Sequence, residues 1–213
     1  MKLTLMSFNR LVAAAAFLLL PLWRAPAEAA GAAEGKRITI RGVVAAIEGK
    51  SVKVTTATGE VLVKLPDNLR VSGSAPAKLS DVTEGSYIGA TSRPQPDGTF
   101  QAVGINIFPP ARRGTIDTHR PYDIPGTTMT NASIEKMERT MVEKIEGTML
   151  HLKYKGGAVK VFVPPDTPIV RNVRGSRDLI KPGAAVVVVS TQAPDGAITA
   201  VRINVGIDGV TPM

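Results

Sequence analysis

Six side chains with metal-ligating chemistry stand out in a chain of 213 residues that contains no cysteine: His119, His151, Met129, Met137, Met141 and Met149. Thioethers and imidazoles suit Cu(I), so His119 with Met129, Met137 and Met141 is the ligand set a periplasmic metal-handling protein of copper type would use. The spacing gives that set little support. No Met-x-x-Met or His-x-Met cluster occurs, and Met137 and Met141 serve equally well as flexible fillers of a hydrophobic core. His151 alternates with Met149 and Lys153 opposite Leu150 and Leu152, so a strand here turns it to solvent.

A second polar group, Arg112, Arg113, His119, Arg120, Tyr122 and Asp123, lies in one central segment. Its guanidiniums suit an anionic partner, and His119 either orients a ligand or ties the segment down. Catalytic patterns are missing. Asp67 and Asp166 follow proline, and Asp97 and Asp195 precede glycine, which makes both pairs turn formers. There is no Ser-His-Asp order, phosphate-cradling glycine loop or His-x-x-x-His spacing. The expectation is a non-enzymatic binding or scaffolding protein without a cofactor.

The first residues set the compartment. Lys2 and Arg10 precede an apolar run over 11–23, and Ala27-Glu28-Ala29 offers small residues where a signal peptidase reads. The run contains Pro21 and falls short of the ~20 residues that cross a bilayer. A signal-peptide helix over 1–29, cut before Ala30, is therefore expected, with a retained anchor as the other reading. Removal takes away Lys2, Arg10, Arg24 and Glu28 and lowers the formal net charge from +8 to +6. A basic chain exported to the periplasm or beyond favours an anionic polymer or an envelope protein as partner. No stable membrane insertion is expected after the signal is lost. Zero cysteines exclude a disulfide framework, a thiolate nucleophile and a Cys-ligated zinc. Nucleic acid is not expected either, because single-strand binders stack bases on aromatic platforms. Beyond the signal the aromatics are only Tyr87, Phe100, Phe108, Tyr122, Tyr154 and Phe162.

The elements that must position these residues come in two copies. Ile47-Glu48-Gly49 recurs as Ile145-Glu146-Gly147, an offset of 98. Val52, Val54, Val61, Val63 and Leu65 match Leu150, Leu152, Val159, Val161 and Val163. Pro66-Asp67 and Val71 reappear as Pro165-Asp166 and Val170 after a one-residue slip. Pro96-Asp97-Gly98 and Ile105-Asn106 return as Pro194-Asp195-Gly196 and Ile203-Asn204. Period-2 alternation in the first copy predicts strands over 38–48, 51–56, 60–65, 86–92 and 100–108. Gly42 should bulge or bend the first of them. A loop over 66–85 carries a helical turn near 79–82, and Asp97-Gly98 makes a hairpin turn. The second copy predicts strands over 149–154, 159–163, 185–191 and 198–205. Before them, 133–139 stays open between strand and helix, with a strand from about Thr140.

A three-strand meander, an irregular connection and a hairpin fit a five-stranded Greek-key barrel of OB type. Small sandwiches and SH3-like barrels are the other architectures with this pattern. The expected fold class is all-β: OB-like barrels at 36–108 and 134–207, a Pro-rich strap over 109–133, and a tail over 208–213. The strap mixes prolines with Ile116, Tyr122, Ile124 and Met129, a poor composition for a flexible tether, so it should be ordered and docked. The Ile-Glu-Gly start, Lys153-Tyr154-Lys155-Gly156, the run Val163-Pro164-Pro165-Asp166-Thr167-Pro168-Ile169-Val170, both Pro-Asp-Gly turns, His119-Arg120-Pro121-Tyr122-Asp123 and Met129-Thr130-Asn131-Ala132 together resemble a family. It comprises small exported bacterial proteins with tandem OB-like domains of unknown function, some of them labelled as metal-transport components. The resemblance spans almost the whole mature chain and implies the tandem barrels, but it supplies no catalytic residues.

Overall fold

In the computed structural model the residues described are 35–142 and 144–213. The expected signal-peptide helix over 1–29 lies outside them. The described part is all-β. Its strands are β1 (Lys36–Glu48), β2 (Ser51–Thr56), β3 (Gly59–Lys64), β4 (Arg70–Pro76), β5 (Tyr87–Pro94), β6 (Phe100–Ile107), β7 (Thr118–Pro121), β8 (Thr128–Val142), β9 (Ile145–Tyr154), β10 (Gly157–Val163), β11 (Ile169–Arg174), β12 (Ala185–Gln192) and β13 (Ile198–Gly206). Alternating valines and leucines drive the meanders, and Asp-Gly turns close the hairpins. Asp97 accepts from the Thr99 amide at 2.9 Å, Asp195 accepts from the Ala197 amide at 2.9 Å, and Gly98 supplies the positive φ of 81° that the turn needs.

Two closed rings of five strands result, and neither coincides with one sequence copy. Ring one runs β1-β2-β3-β13-β12 and returns to β1, closed by a parallel contact between Lys64 and Thr199. Ring two runs β8-β9-β10-β6-β5 and returns to β8, closed where Phe100 and Gln101 meet Val161 and Phe162 in parallel. The two halves have thus exchanged hairpins. Each core is mixed in the same way. Val44, Val52, Val54 and Val63 pack with Val186, Val188, Ile203 and Val205, while Ile88, Ala90 and Ile105 pack with Ile134, Leu150, Leu152 and Val161. The boundaries 36–108 and 134–207 are corrected accordingly. Alternation dictates which face of a strand is buried, but two similar hairpins satisfy either meander equally well.

What carries the exchange is β4 and β11, both inside stretches expected to be loop. They pair antiparallel at the centre, Gly73 opposite Val173 and Ser74 opposite Asn172. β4 also runs parallel to β13, and β11 parallel to β6. This seam joins the rings, and across it Asn204 Nδ2 donates to Ser74 Oγ at 3.0 Å. The predicted helical turn near 79–82 is a single 3₁₀ turn, Leu79–Asp81.

Three further readings change. The open stretch 133–139 is strand throughout, and β8 begins at Thr128, so the last residues assigned to the strap belong to the sheet. The bulge of β1 falls at Ala45, between the pairs Val44–Val54 and Ala46–Lys53. Gly42 instead lies under the Thr55 carbonyl, 2.1 Å from where a Cβ would sit. Finally, the Ile-Glu-Gly match is not structural. Ile47 faces Val52 in β1–β2, and the residue that faces the matching Leu150 is Met137. The first strands therefore correspond at an offset of 90, and residues 139–148 replace the two-residue turn 49–50 with a longer hairpin.

Candidate functional site

The outer face of ring one collects arginines from distant parts of the chain. On β1, Ile38 and Ile40 pack on the core, so alternation turns Arg37, Thr39 and Arg41 outward. On β13, Ile203 is core and Arg202 is exposed. Arg202 is the direct partner of Arg70 in the parallel β4–β13 pair, which sets their Cα atoms about 4.8 Å apart. Thr39 and Arg202 are both in register with Val189 of β12, so Arg37 lies diagonally across two strands from Arg202. Val187 and Val189 point outward from β12 yet are only 8 % and 7 % exposed, buried at the level of Arg41 and Arg202.

The central segment closes over this face. After β6, a 3₁₀ turn at Pro110–Arg112 leads to β7, which pairs with β8 from Thr118–Asn131 to Pro121–Thr128. The turn between them brings Tyr122 and Asp123 to Arg41, whose Nη2 donates to the Tyr122 hydroxyl at 2.9 Å and to the Asp123 carboxylate at 2.9 and 3.1 Å. The Arg41 and Arg120 guanidiniums lie 5.4 and 5.9 Å from the centre of the Tyr122 ring, within cation–π reach. Burial works against the Arg41 charge, but the Asp123 hydrogen bond and the nearby Tyr122 hold its pKa above the ordinary value.

Charge is unbalanced here. Among the described residues Arg41 pairs with Asp123, and no carboxylate pairs with Arg37, Arg70, Arg120 or Arg202. Desolvation and then the Arg37 charge hold the Arg202 guanidinium below its ordinary pKa, with Arg70 and Arg112 adding and Tyr122 opposing. Four like charges gathered without a counter-ion form a place where an anion is stabilised.

The sequence-predicted residues divide. Tyr122 and Asp123 stand at this face, Arg120 reaches the Tyr122 ring, and Arg112 ends the 3₁₀ turn that precedes β7. Arg113 turns away and donates to the Gly85 carbonyl. His119 is pinned on ring two. It stacks on Tyr154 at 5.4 Å, meets Phe100 edge-on at 5.3 Å, and its Nδ1 lies 2.9 Å from Thr130 Oγ1. Burial lowers its pKa.

The methionine set does not converge. Met129 and Met141 lie twelve residues apart on one strand, about 40 Å at strand rise, so they cannot share an ion. Met129 is buried, Met137 packs on the core of ring two, and Met141 is 68 % exposed near the hairpin tip. His151 is not turned freely to solvent, because its Nε2 lies 3.0 Å from Glu138 Oε2. Arg37, Arg41, Arg70 and Arg202 were missed in the sequence. Nothing in it links them, since β1, β4 and β13 become neighbours only through the exchanged hairpin.

The chain matches no protein-family model, no curated protein and no solved structure.

Proposed function

We propose that this protein is an exported, non-enzymatic binding or scaffolding protein that holds an anionic envelope partner on the arginine face of ring one. The observation that carries the reading is the register that brings Arg37, Arg70 and Arg202 to one face, with Arg120 on the Tyr122 ring above it and Asp123 as the carboxylate at hand. Scattered surface charge is ordinary, but side chains drawn from four separate elements to one unneutralised patch favour a ligand of opposite sign. Export through the signal segment 1–29, with the mature chain in the periplasm or secreted, is part of the same proposal. So is the OB type of each ring. A meander joined to a hairpin, with a parallel contact between the third and last strands, supports that assignment.

Retention on a sulfated polysaccharide as salt is raised tests the reading. A triple variant, Arg37→Gln with Arg70→Gln and Arg202→Gln, should elute well before the parent. A control triple with the same loss of charge, Lys53→Gln with Lys153→Gln and Lys160→Gln, should elute close to it. Equal losses in both would reduce the effect to net charge and overturn the proposed face.

A further inference from the structure

We propose that the arginine face of ring one is a site for a diphosphate group, one phosphoryl unit held by Arg70 and Arg202 and the linked unit extending toward Arg37. This deepens the binding function proposed above and rests on it. Three observations carry it.

The first is side-chain type. The cations that register or contact places at this face, Arg37, Arg41, Arg70, Arg120 and Arg202, are all arginine, although the chain also carries 12 lysines. A planar guanidinium offers two parallel N–H donors that fit the oxygens of a phosphoryl group, whereas an ammonium is only a point charge. The second is spacing. Arg70 and Arg202 emerge side by side, about 4.8 Å apart, close enough for one phosphoryl group to accept from both. Arg37 lies two strands away on the same face, and Arg120 of the overlying segment stands on the Tyr122 ring. Two positions for oxygen anions result. The third is charge. Arg41 is already neutralised by Asp123, which leaves Arg37, Arg70, Arg120 and Arg202 as four positive charges, and two phosphoryl groups carry roughly −3 to −4 near neutral pH. A lone carboxylate would leave most of the repulsion in place. The Tyr122 hydroxyl accepts from Arg41 at 2.9 Å and keeps one proton of its own to donate.

A diphosphate arrives either as a soluble anion or as the headgroup of a lipid, and the experiment separates the two. The full mature chain is titrated by calorimetry with pyrophosphate, orthophosphate and sulfate. It is then floated with phosphatidylcholine vesicles that carry or lack farnesyl diphosphate. Pyrophosphate should bind at least tenfold more tightly than orthophosphate or sulfate. Arg70→Lys and Arg202→Lys, which keep the charge and disturb no buried group, should each lose most of that preference. Flotation only with farnesyl diphosphate would identify the lipid headgroup as the source, and binding of pyrophosphate without flotation would identify the soluble anion; both support the site. Equal affinity for orthophosphate, or full retention by the two Lys variants, would overturn it. If pyrophosphate fails while the polysaccharide retention stays sensitive to Arg37, Arg70 and Arg202, the diphosphate inference falls and the broader function stands. If both fail, both fall.

Discussion

Rings one and two share a strand order and a register, yet only ring one gathers unpaired arginines on one outer face; the charged strands of ring two carry ion pairs such as Lys136–Glu138 and Lys153–Glu135. Arg202 opposite Val189 in ring one corresponds to Gly104 opposite Thr91 in ring two. By the same pairings Arg37, Arg41 and Arg70 correspond to Thr127, Asn131 and Pro168. All four cations are neutral in the second ring, and each replacement is engaged locally. The Met213 sulfur lies 1.8 Å from where a Cβ on Gly104 would sit, so the chain end covers that position. Asn131 donates to the Ile116 carbonyl, Thr127 donates to the Ile124 carbonyl, and the Pro168 carbonyl accepts from Ile105. The lesson is that closing a ring constrains the inward residues of every strand and leaves the outward ones free. One outer face could become a covered surface while the other gathered arginines.

The largest effect expected from breaking the comparison comes from the exchange. Ile203 is 1 % exposed and belongs to the second half of the sequence, but it packs in ring one with Val44, Val52 and Val63. Ile203→Ala should cost about 2–5 kcal/mol, the range for emptying a buried aliphatic site. Hydrogen exchange should then show lost protection in β1, β2 and β3 while β9 and β10 keep theirs. Losses confined to β9 and β10 would mean that each half closes on itself.

A smaller effect is expected at Gly42, whose counterpart in ring two is Ala132, fully buried and tolerated. In ring one the Thr55 carbonyl occupies the place of the Cβ. Gly42→Ala should therefore destabilise by about 1–3 kcal/mol through overpacking, and chemical denaturation measures it. A neutral result would show that the two backbones approach equally at this point.

The pH dependence of ring two should be milder still. Burial between Phe100 and Tyr154 holds the His119 pKa below its ordinary 6.5. The unfolded chain thus takes up the proton first as pH falls. The stability of neutral His119 is fully present above about 6.5 and is lost progressively as pH drops through the folded value. Thermal melts from pH 7.5 to 5 should show a decline that is shallower in His119→Gln; identical slopes would remove His119 as the cause.

The smallest effect belongs to the long hairpin that ring one lacks. Met141→Ser should change stability by no more than about 0.5 kcal/mol, as for most exposed positions. Met137→Ala, on the core side of the same strand, should cost measurably more. A large loss from Met141→Ser would reveal a contact for the hairpin tip.

Most strands were legible from alternation: β2 matches its expected bounds, and β5, β6, β12 and β13 shift by one or two residues at the ends. β4 was not, because Arg70-Val71-Ser72-Gly73-Ser74 offers no alternating apolar face. Its strand character comes from pairing on both edges, with β11 and β13. The Ile-Glu-Gly repeat misled for a related reason. A short identical string carries no record of which strand it will join, and an eight-residue extension of the β8–β9 hairpin moved Ile145 into β9. Of the site, the central segment with Arg112, Arg120, Tyr122 and Asp123 could be read directly. The arginines beneath it could not.

By itself the sequence determined the all-β class, the hairpin turns and the inward face of nearly every strand, because period-2 burial and Asp-Gly turn chemistry act within a few residues. Only the tertiary structure decided which hairpin completes which ring, and with it the meeting of Arg37, Arg70 and Arg202. Strand pairing is non-local, and two meanders and two hairpins of equivalent pattern offer the same buried area in either combination. The choice falls to the seam of β4 and β11, whose hydrogen bonds exist only once the chain has crossed from one ring to the other.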